Sequence, residues 1–473
     1  PDKQQFWMNT DEAETIPVIF TTKNVDHALH VADTVFALPT TLNRKGLSQV
    51  INHLLGLEDS EKSINWDCAI DGECLRTSLK KYLIRKRLSG ESKLLIEYFE
   101  FPEEPQQDKS MSHPDWVSSL DASNTILVSG CYDGLMRVWN FNSDCLATGS
   151  GHDSAIRSVR ILKKCSNDDI TIFASASKDR TARVWKFDHS DQSVESVFEC
   201  VGHSAPLESL ASNPHQSRFL TGSWDKQIRM WEGNISDVRS DDDSSSKMQI
   251  DEDTPSSESQ NPPKRHKLSH QQSEAENDID SSERFRSSGS MQRESLTTLS
   301  GHQQCVSAIC WPSSHAVYSG SWDHTIRHWD LNKGTSVTSW QTGQVVNSLD
   351  FSLEHNLAVS AHADHTLRLW DFRLKSGSYD PVEHLPTMQL KVKQWCTSAV
   401  WAPADSHPHL FASSDHSGNV KVWDIRSRVP LHTLKGHEDK ALCLGWFDAE
   451  QQSSSSRLFS GGADSEILNH RVP

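Results

Sequence analysis

The sequence lacks any run of the roughly 18 apolar residues that a membrane-spanning helix needs, and no signal peptide opens it. We therefore expect a soluble, intracellular protein without a membrane partner. Its ten cysteines include no CxxC pair, which disfavours a structural zinc site or a redox motif and suits reduced thiols. Only 35% of the residues are hydrophobic, so we expect part of the chain to lie outside any apolar core.

Catalytic and metal-binding motifs are missing as well. The chain contains no GxSxG, P-loop or HExxH motif. His407 and His409 stand close together in the loop sequence HPHL, but no cluster with metal-site spacing surrounds them. The net charge of −17 argues against a protein that wraps nucleic acid. These absences predict a binding scaffold that is not an enzyme and has no cofactor of its own.

Tyrosine is scarce, with five residues against sixteen tryptophans, and the tryptophans recur in a pattern. Six of them close a phrase of the type SWDHTIRHW: Trp139, Trp185, Trp231, Trp329, Trp370 and Trp423. In five copies an aspartate stands six positions earlier: Asp133, Asp179, Asp225, Asp323 and Asp364. Ser417 takes that place in the sixth copy, and a seventh copy has Asp464 with His470 in the tryptophan position. Upstream histidines accompany five copies: His113, His152, His203, His302 and His437.

This repeat predicts a β-propeller of the WD-repeat type. The tryptophans are 46, 46, 98, 41 and 53 residues apart, and a period of about 40–45 with Gly-His and Trp-Asp signatures is typical of that fold. We predict seven blades over residues 113–473, with the missing fourth strand of the last blade supplied by the linker 102–112. The blade residues are expected to serve packing and to hydrogen-bond across each blade: His152, Asp179, Trp185, His203, Asp225, Trp231, His302, Asp323 and Trp329.

The 98-residue spacing contains an insertion, which we place at residues 233–294 within blade three. Serine, acidic residues and proline dominate it, so it cannot bury enough apolar area to offset the entropy of ordering, and we expect disorder. Inside it, the run PPKRHKL resembles a nuclear-import signal carried by Lys264, Arg265 and Lys267. The alternative is a chance group of basic residues in a charged linker.

Residues 16–101 follow a different pattern. They predict a strand (IPVIFTTK), a second strand within HALHVADTVFALP, a helix that ends on Gly56, a strand with a short hairpin arm, a short helix with Thr77 as its cap, and a last strand (KLLIEYFEF). This order resembles ubiquitin. We therefore predict a mixed fold class: an N-terminal ubiquitin-like α+β (β-grasp) domain followed by an all-β seven-bladed WD-repeat propeller.

The combination of domains resembles one family closely. The segments GLSQVINHLLG (46–56), GECLRTSLKKYL (72–83) and DWVSSLD (115–121) are similar to the WD-repeat subunit of the pescadillo-containing (PeBoW-type) complex, which matures the large ribosomal subunit. The resemblance covers nearly the whole chain. It implies work in the nucleolus and nucleoplasm on pre-60S particles and pre-rRNA, with pescadillo bound through a second, larger WD-repeat subunit. It also implies release by the AAA ATPase midasin, whose MIDAS domain binds the ubiquitin-like domain.

The same resemblance gives a role to Glu91. In this family a carboxylate on the loop before the last strand of the ubiquitin-like domain reaches a cation held by the MIDAS domain, and that loop is LSGESKLL here. Hard cations such as Mg²⁺ accept carboxylate oxygen, so Glu91 is expected to bind the partner by ligating its metal in trans. Glu97 and Glu100 are poorer candidates because they fall within the strand and at its end. Without the resemblance, Glu91 is a solvated turn residue.

Two other functions stay open. WDFR (370–373) and WDIR (423–426) resemble the WDxR motifs of propellers that recruit substrates to cullin-RING ubiquitin ligases. The plainer explanation is a common propeller ending whose arginine pairs with a nearby acid. Direct RNA binding would need a basic face, and the one strong cluster in the head also suits a solvated helix: Lys80, Lys81, Arg85, Lys86 and Arg87.

The residues directly before the turn aspartates are usually exposed on one rim of a propeller. Here they include Tyr132, Lys178, Trp224 and Trp322. Exposed aromatic residues are typical anchors of protein interfaces, although the same side chains also pack between blades. Tyr132, Trp224 and Trp322 are therefore our candidates for partner contacts on the propeller.

Overall fold

The structure, a computed structural model, describes residues 14–23, 26–57, 63–88, 93–123, 126–163, 170–213, 218–235, 291–314, 316–373, 385–404, 406–447 and 456–473. Within these ranges the chain forms one sheet in an N-terminal head (residues 14–101) and seven sheets in a propeller. The predicted fold class is confirmed, because a small α+β domain precedes seven blades.

The head is a five-stranded mixed sheet with a helix packed across one face. Its elements are β1 (Thr15–Thr21), β2 (Phe36–Pro39), α1 (Arg44–Leu55), β3 (Trp66–Ile70), β4 (Glu73–Cys74), α2 (Leu79–Lys86) and β5 (Leu94–Glu100). The strand order is β2-β1-β5-β3-β4, with β1 and β5 parallel. Leu47, Val50 and Ile51 bury one stripe of α1 against the sheet, which is the β-grasp arrangement.

Local contacts set the ends of α1. The side chain of Asn43 accepts a hydrogen bond from the amide of Gly46 at 3.1 Å, and so satisfies one of the free donors in the first turn. Gly56 ends the helix with φ at +73°, a conformation in which a β-carbon would be strained.

Two details of the head differ from the sequence prediction. Within HALHVADTVFALP, only Phe36–Pro39 is a strand, and His27–Leu29 forms a 3₁₀ turn in which Asp26 accepts from the amide of Ala28 at 2.9 Å. Ser78, rather than Thr77, precedes α2, and it makes no capping hydrogen bond. The first amides of α2 donate instead to the carbonyls of Leu42 and Thr40, so no capping hydroxyl is needed.

Each propeller blade is an antiparallel sheet built around four strands. The first three blades contain Val117–Ala122, Leu127–Cys131, Met136–Trp139 and Cys145–Gly149; Ile156–Lys163, Ile170–Ser177, Ala182–Asp188 and Ser193–Cys200; and Leu207–Ser212, Arg218–Ser223, Gln227–Glu232 and Thr297–Ser300. The next three contain Val306–Cys310, Ala316–Ser321, Thr325–Asp330 and Thr335–Gln341; Val346–Ser352, Leu357–His362, Thr366–Asp371 and Met388–Lys391; and Cys396–Trp401, Leu410–Asp415, Asn419–Asp424 and His432–Lys435.

Blade seven joins the two ends of the propeller segment. Its own strands are Ala441–Phe447, Ser456–Gly462 and Glu466–Val472, and two short strands from the linker, β6 (Gln106–Gln107) and β7 (Met111–Ser112), complete it. Arg471 pairs with Gln106, and Ile467 pairs with Met111. The closing strand therefore comes from the part of the linker where we expected it.

The described residues on both sides of the insertion extend into the predicted range 233–294. Residues 233–235 are described, and Met291–Arg293 forms a strand that runs parallel to Ser193–Cys200 as a fifth strand of blade two. The guanidinium of Arg293 lies 3.4 Å from the ring centre of Phe198 and donates to the carbonyl of Glu232 at 2.6 Å. Disorder was therefore the wrong prediction for residues 291–293, which these contacts order. Residues 236–290 lie outside the described part of the chain.

Candidate partner-binding surfaces

Blades two, three and four contain the same buried hydrogen-bond relay. In blade two, Nδ1 of His152 lies 2.7 Å from a carboxylate oxygen of Asp179, and Nε2 lies 2.7 Å from the hydroxyl of Ser175. The indole of Trp185 donates to the same hydroxyl at 2.7 Å. Because a carboxylate only accepts, Nδ1 is the donor in the bond between His152 and Asp179. The relay holds two strands and the preceding turn in one geometry.

The other two copies agree closely. His203 and Asp225 are 2.6 Å apart, and His302 and Asp323 are 2.8 Å apart, in each case from Nδ1 to a carboxylate oxygen. The indoles of Trp231 and Trp329 donate to hydroxyls at 2.8 and 2.7 Å. All nine predicted blade residues are thus brought together in three sets of three.

Burial and hydrogen bonding act in opposite directions on the aspartates of these relays. In Asp179, burial favours the neutral acid, but hydrogen bonds from His152 and Thr181 outweigh it and lower the pKa of the carboxyl to about 2. The aspartate is therefore charged at neutral pH, where it serves as a fixed acceptor for the imidazole.

The sequence reasoning missed the hydroxyl that accepts from the tryptophan. A serine or threonine stands ten positions before each of the six repeat tryptophans, and its hydroxyl accepts from the indole in every case: Ser129, Ser175, Thr221, Ser319, Ser360 and Ser413. The fixed interval and the residue type are both visible in the sequence, so this signal was available.

In blade one the expected hydrogen bond between His113 and Asp133 does not form. Asp133 accepts from Arg137 at 2.6 Å, while Nε2 of His113 lies 2.9 Å from the hydroxyl of Ser129. In blades two to four a glycine precedes the histidine, and an arginine guanidinium lies 2.6–3.1 Å from where its β-carbon would be. Ser112 replaces that glycine in blade one, so the guanidinium has to lie elsewhere, and it pairs with the aspartate.

Blades five, six and seven vary the relay further. Asp364 accepts from Arg368 at 2.5 Å, and Asp415 pairs with Lys421 in blade six, where Ser417 donates to Asp415 at 2.7 Å. In blade seven His437 and Asp464 are 2.9 Å apart, with His470 buried in the tryptophan position. The hydrogen bond from indole to hydroxyl is therefore present in more blades than the hydrogen bond between histidine and aspartate.

One rim of the propeller has a connected set of aromatic and charged side chains, which we call the aromatic rim: Trp116, Tyr132, Arg157, Glu208, Trp224 and Trp322. The rings of Trp116 and Tyr132 are 5.3 Å apart, and those of Trp224 and Trp322 are 4.9 Å apart. Arg157 joins the two pairs, because it donates to the hydroxyl of Tyr132 and pairs with Glu208, which accepts from the indole of Trp224 at 3.1 Å. The rim spans blades one to four.

The aromatic rim presents apolar area to solvent. Trp224 is 46% exposed and Trp116 is 39% exposed, whereas Tyr132 and Trp322 are half-buried. On blade six, Trp395 is 49% exposed and packs on His416 at 5.3 Å. Sequence reasoning missed Trp116 and Trp395. Both stand directly before the first strand of a blade, and that position was the available signal.

The two WDxR arginines have different surroundings. Arg373 pairs with Asp371 at 3.0 Å, and its side chain is 62% exposed. Arg426 pairs with Asp424 at 2.7 Å, but its side chain is only 21% exposed, because its guanidinium lies 3.9 Å from the ring centre of Phe99 in the head. Both arginines pair with the aspartate of their own motif.

Several predicted site residues lie outside the described part of the chain. These are Glu91 and the three residues of the import signal, Lys264, Arg265 and Lys267. The basic cluster of α2 is described, and acids partly neutralise it: Arg85 and Lys86 pair with Glu73 at 2.8 and 2.9 Å.

Among the described residues, no group of three or more histidine, cysteine, aspartate or glutamate side chains could hold a metal ion. A channel runs between the first strands of the blades, and one of the carboxylates that line it, the half-buried Asp350, accepts from the amides of Trp401 and Phe351 at 2.8 and 2.9 Å. Burial raises the pKa of Asp350 above its ordinary value. No helix in these ranges is both long and apolar enough to cross a membrane.

The fold and these surfaces define a class, that of WD-repeat β-propellers with an N-terminal ubiquitin-like domain. Residues 16–83 match the model of the NLE (NUC135) domain. The model of the WD domain, G-beta repeat, matches residues 106–140, 143–186, 194–232, 293–330 and 334–371.

Relatives match the chain over nearly its full length. The "Ribosome biogenesis protein WDR12 homolog" of Chlamydomonas reinhardtii is 33% identical over 96% of this chain and 97% of its own length. The Arabidopsis thaliana protein of the same name is 32% identical over 97% and 96%. "Ribosome biogenesis protein YTM1" of Saccharomyces cerevisiae is 30% identical over 97% of both chains. The chain therefore belongs to the WDR12/YTM1 family of WD-repeat ribosome biogenesis proteins, of the PeBoW type.

Proposed function

We propose that this chain is a non-catalytic scaffold in ribosome biogenesis, required for assembly of pre-60S particles and maturation of pre-rRNA in the nucleolus and nucleoplasm. The observation that carries the proposal is the match to ribosome biogenesis proteins over 96–97% of the chain, through both the head and the propeller. A full-length match supports a shared task for the two units together, rather than for the propeller alone.

The propeller is the assembly unit in this proposal, and its partner is the larger WD-repeat subunit that connects it to pescadillo. The aromatic rim is the surface we assign to that contact. Exposed tryptophans next to a paired arginine are the residue types that dominate the binding energy of protein interfaces. Trp224 is held by Glu208, so it is oriented before the partner arrives, which lowers the entropy cost of binding.

The head is the release unit in this proposal and docks on the MIDAS domain of midasin. Glu91 supplies a carboxylate to a Mg²⁺ or similar divalent cation held by that domain, so the metal belongs to the partner. In the sequence Glu91 lies between α2, which ends at Lys86, and β5, which begins at Leu94. Both elements pack into the head core through Leu83 and Leu94, so the segment between them is anchored at both ends to the folded head.

The import signal fits the same setting. A protein that acts on pre-60S particles must enter the nucleus, and Lys264, Arg265 and Lys267 are the residues we assign to that step. Neutralising all three is expected to lower nuclear accumulation. Unchanged import would place the signal elsewhere or on a partner.

The competing function, a substrate receptor for a cullin-RING ligase, has less support. The guanidinium of Arg426, in the second WDxR motif, lies against Phe99 when the head is docked on blade six. Arg373 alone has an exposed side chain. Co-purification separates the two functions, because pre-60S factors and midasin are expected in one case and a cullin adaptor in the other.

The direct test is binding of the full chain to a purified MIDAS domain with Mg²⁺ and with a chelator. Wild type is expected to bind only with the metal, and Glu91→Ala is expected to abolish binding. Glu91→Asp keeps the charge but shortens the side chain by one methylene, so direct coordination predicts a large loss where long-range attraction predicts little. Glu97→Ala is the matched control, because this carboxylate is on the same head but already pairs with Lys23 at 2.9 Å. If Glu91→Ala binds as wild type does, with the same sensitivity to chelator, the assignment is wrong.

A further inference from the structure

The head meets blade six of the propeller through polar groups. On the head side, Asp67 is fully buried, and Arg76 lies 2.8 Å from its carboxylate. On the propeller side, Asp424 is 1% exposed and accepts hydrogen bonds from Arg426, including one from Nη2 at 2.7 Å and one from Nε at 3.0 Å. Each buried acid thus has its arginine within its own unit, so neither unit depends on the other to neutralise a buried charge.

The described residues make several contacts from one unit to the other, among them the ring of Phe101 in the head, whose centre lies 5.5 Å from that of His432 in blade six. The amide of Cys74 donates to the carbonyl of Arg426 at 2.7 Å, and Nε of Arg76 lies 3.2 Å from the hydroxyl of Ser427. The guanidinium of Arg426 covers Phe99, and Arg428 lies 3.8 Å from Glu73. Phe99 is on the face of the sheet opposite α1, next to Asp67 across the strand pair. The head therefore uses the outer face of β3 and β5 and the end of β4.

Among the described residues, the hydrophobic core of the head does not merge with any core of the propeller at this contact. The core of the head contains residues from Ile16 to Tyr98, and no propeller residue belongs to it. A contact built of hydrogen bonds and a cation–π pair, with no shared apolar core, resembles an interface that opens and closes rather than the interior of one domain.

The connection between the units is short. The amide of Phe101 donates to Asn65 in the head at 2.8 Å, and Gln106 pairs with Arg471 in blade seven. At about 3.3–3.6 Å per residue, the chain between Phe101 and Gln106 spans less than about 20 Å. A head that leaves blade six therefore stays close to it, and rebinding is favoured by a high effective concentration.

We propose that blade six is a docking site for the head of the same chain, with the Asp424–Arg426 pair as its receptor, and that this contact is a reversible latch. With the latch closed, head and propeller move as one body and the second WDxR motif is covered. With the latch open, the head moves on its short connection while both units remain folded. The inference rests on contacts within this chain and does not depend on the proposed function.

The amide of Cys74 reports on the latch directly. Its acceptor is in the propeller, whereas the next amide, that of Leu75, donates to Cys68 within the head at 2.8 Å. Hydrogen exchange of the full chain, resolved to single amides by fragmentation in the mass spectrometer, therefore compares docking with head folding at neighbouring positions.

Two variants open the latch from opposite sides. Phe99→Ala removes the ring under Arg426 without changing any bond in blade six, and Arg426→Ala removes the guanidinium. Each is expected to speed exchange at Cys74 by about ten-fold, the equivalent of one cation–π contact, and to leave Leu75 unchanged. Arg373→Ala is the matched control, since it alters the same motif on blade five without touching the head, and it should leave both amides at wild-type rates.

Two results would overturn the proposal. Unchanged exchange at Cys74 in both Phe99→Ala and Arg426→Ala would mean that these groups do not hold the head. Equal acceleration at Cys74 and Leu75 would mean that the head unfolds when the contact is lost, so that the units are not separable. If Arg426→Ala unfolds blade six, Phe99→Ala still tests the proposal, because this variant leaves Asp424 paired with Arg426.

Discussion

The head and the propeller are stabilised in different ways. The head has one apolar core that includes Trp66 and Tyr98, and its contacts with blade six are polar. The propeller has several small cores, most of which combine residues of two adjacent blades, as Val138 of blade one and Phe173 of blade two do. A blade therefore depends on its neighbours, whereas the head depends mainly on itself. This difference allows one unit to change its contacts while the other keeps its structure.

Removal of the strands that close the propeller ring is expected to have the largest effect and tests this difference. A chain that begins at residue 103 loses the head but keeps β6 and β7, whereas a chain that begins at residue 113 also loses these closing strands. We expect the first to melt cooperatively near the temperature of the full propeller. The second leaves the last strand with an unpaired edge and is expected to lose cooperative melting. Calorimetry of the two chains checks this, and equal transitions would refute closure by the linker.

Core tryptophans provide the next test, with an effect of about 3–5 kcal/mol in the free energy of unfolding. Trp66 in the head is 1% exposed, and Trp329 in blade four is fully buried. Trp66→Ala is expected to destabilise the head and leave the propeller transition unchanged. Trp329→Ala is expected to do the reverse. Hydrogen exchange at amides of each unit, measured at increasing denaturant concentration, separates the two effects. A propeller transition that falls equally in both variants would show a single cooperative unit.

The contribution of a single buried histidine to the pH dependence of propeller stability is expected to be smaller, at most about 3 kcal/mol in the free energy of unfolding. Burial lowers the pKa of His113, His362 and His470 to about 4, from 6.5. Between these values the unfolded chain binds protons that the folded chain does not. Stability is therefore present above pH 6.5 and is lost as the pH falls towards 4, by at most about 1.4 kcal/mol per pH unit for each histidine.

His470→Trp isolates one of these contributions. It restores the residue that the other six blades have at this position, with Ser460 ten positions earlier to accept from the indole. We expect a shallower loss of stability between pH 6.5 and 4, by up to about 3 kcal/mol over the window, and little change at pH 8. Denaturant titrations at several pH values measure this. An unchanged slope would mean that His470 is not a source of the pH dependence.

The propeller was predictable from the sequence, because each blade repeats the same local sequence pattern. The helix of the head was equally clear, since Leu47, Val50 and Ile51 stand at helical spacing and Gly56 follows. The linkage of Tyr132 to Trp224 through Arg157 and Glu208 was not predictable, because it joins residues of three blades. Nor was the contact between Arg426 and Phe99, because these residues are more than 300 positions apart in the sequence. The role of Glu91 comes from family resemblance and remains a prediction.

Parallel affinity purification tests the central claim, that head and propeller bind different partners. Glu91→Ala bait is expected to retain the larger WD-repeat subunit and pescadillo but to lose midasin. A bait with Trp224→Ala and Trp322→Ala is expected to lose the WD-repeat subunit while its head still binds a purified MIDAS domain. Val337→Ala is the control, because this side chain is 52% exposed on the outer strand of blade four, off the aromatic rim. Loss of both partners from either bait, or midasin retained by Glu91→Ala, would contradict the account.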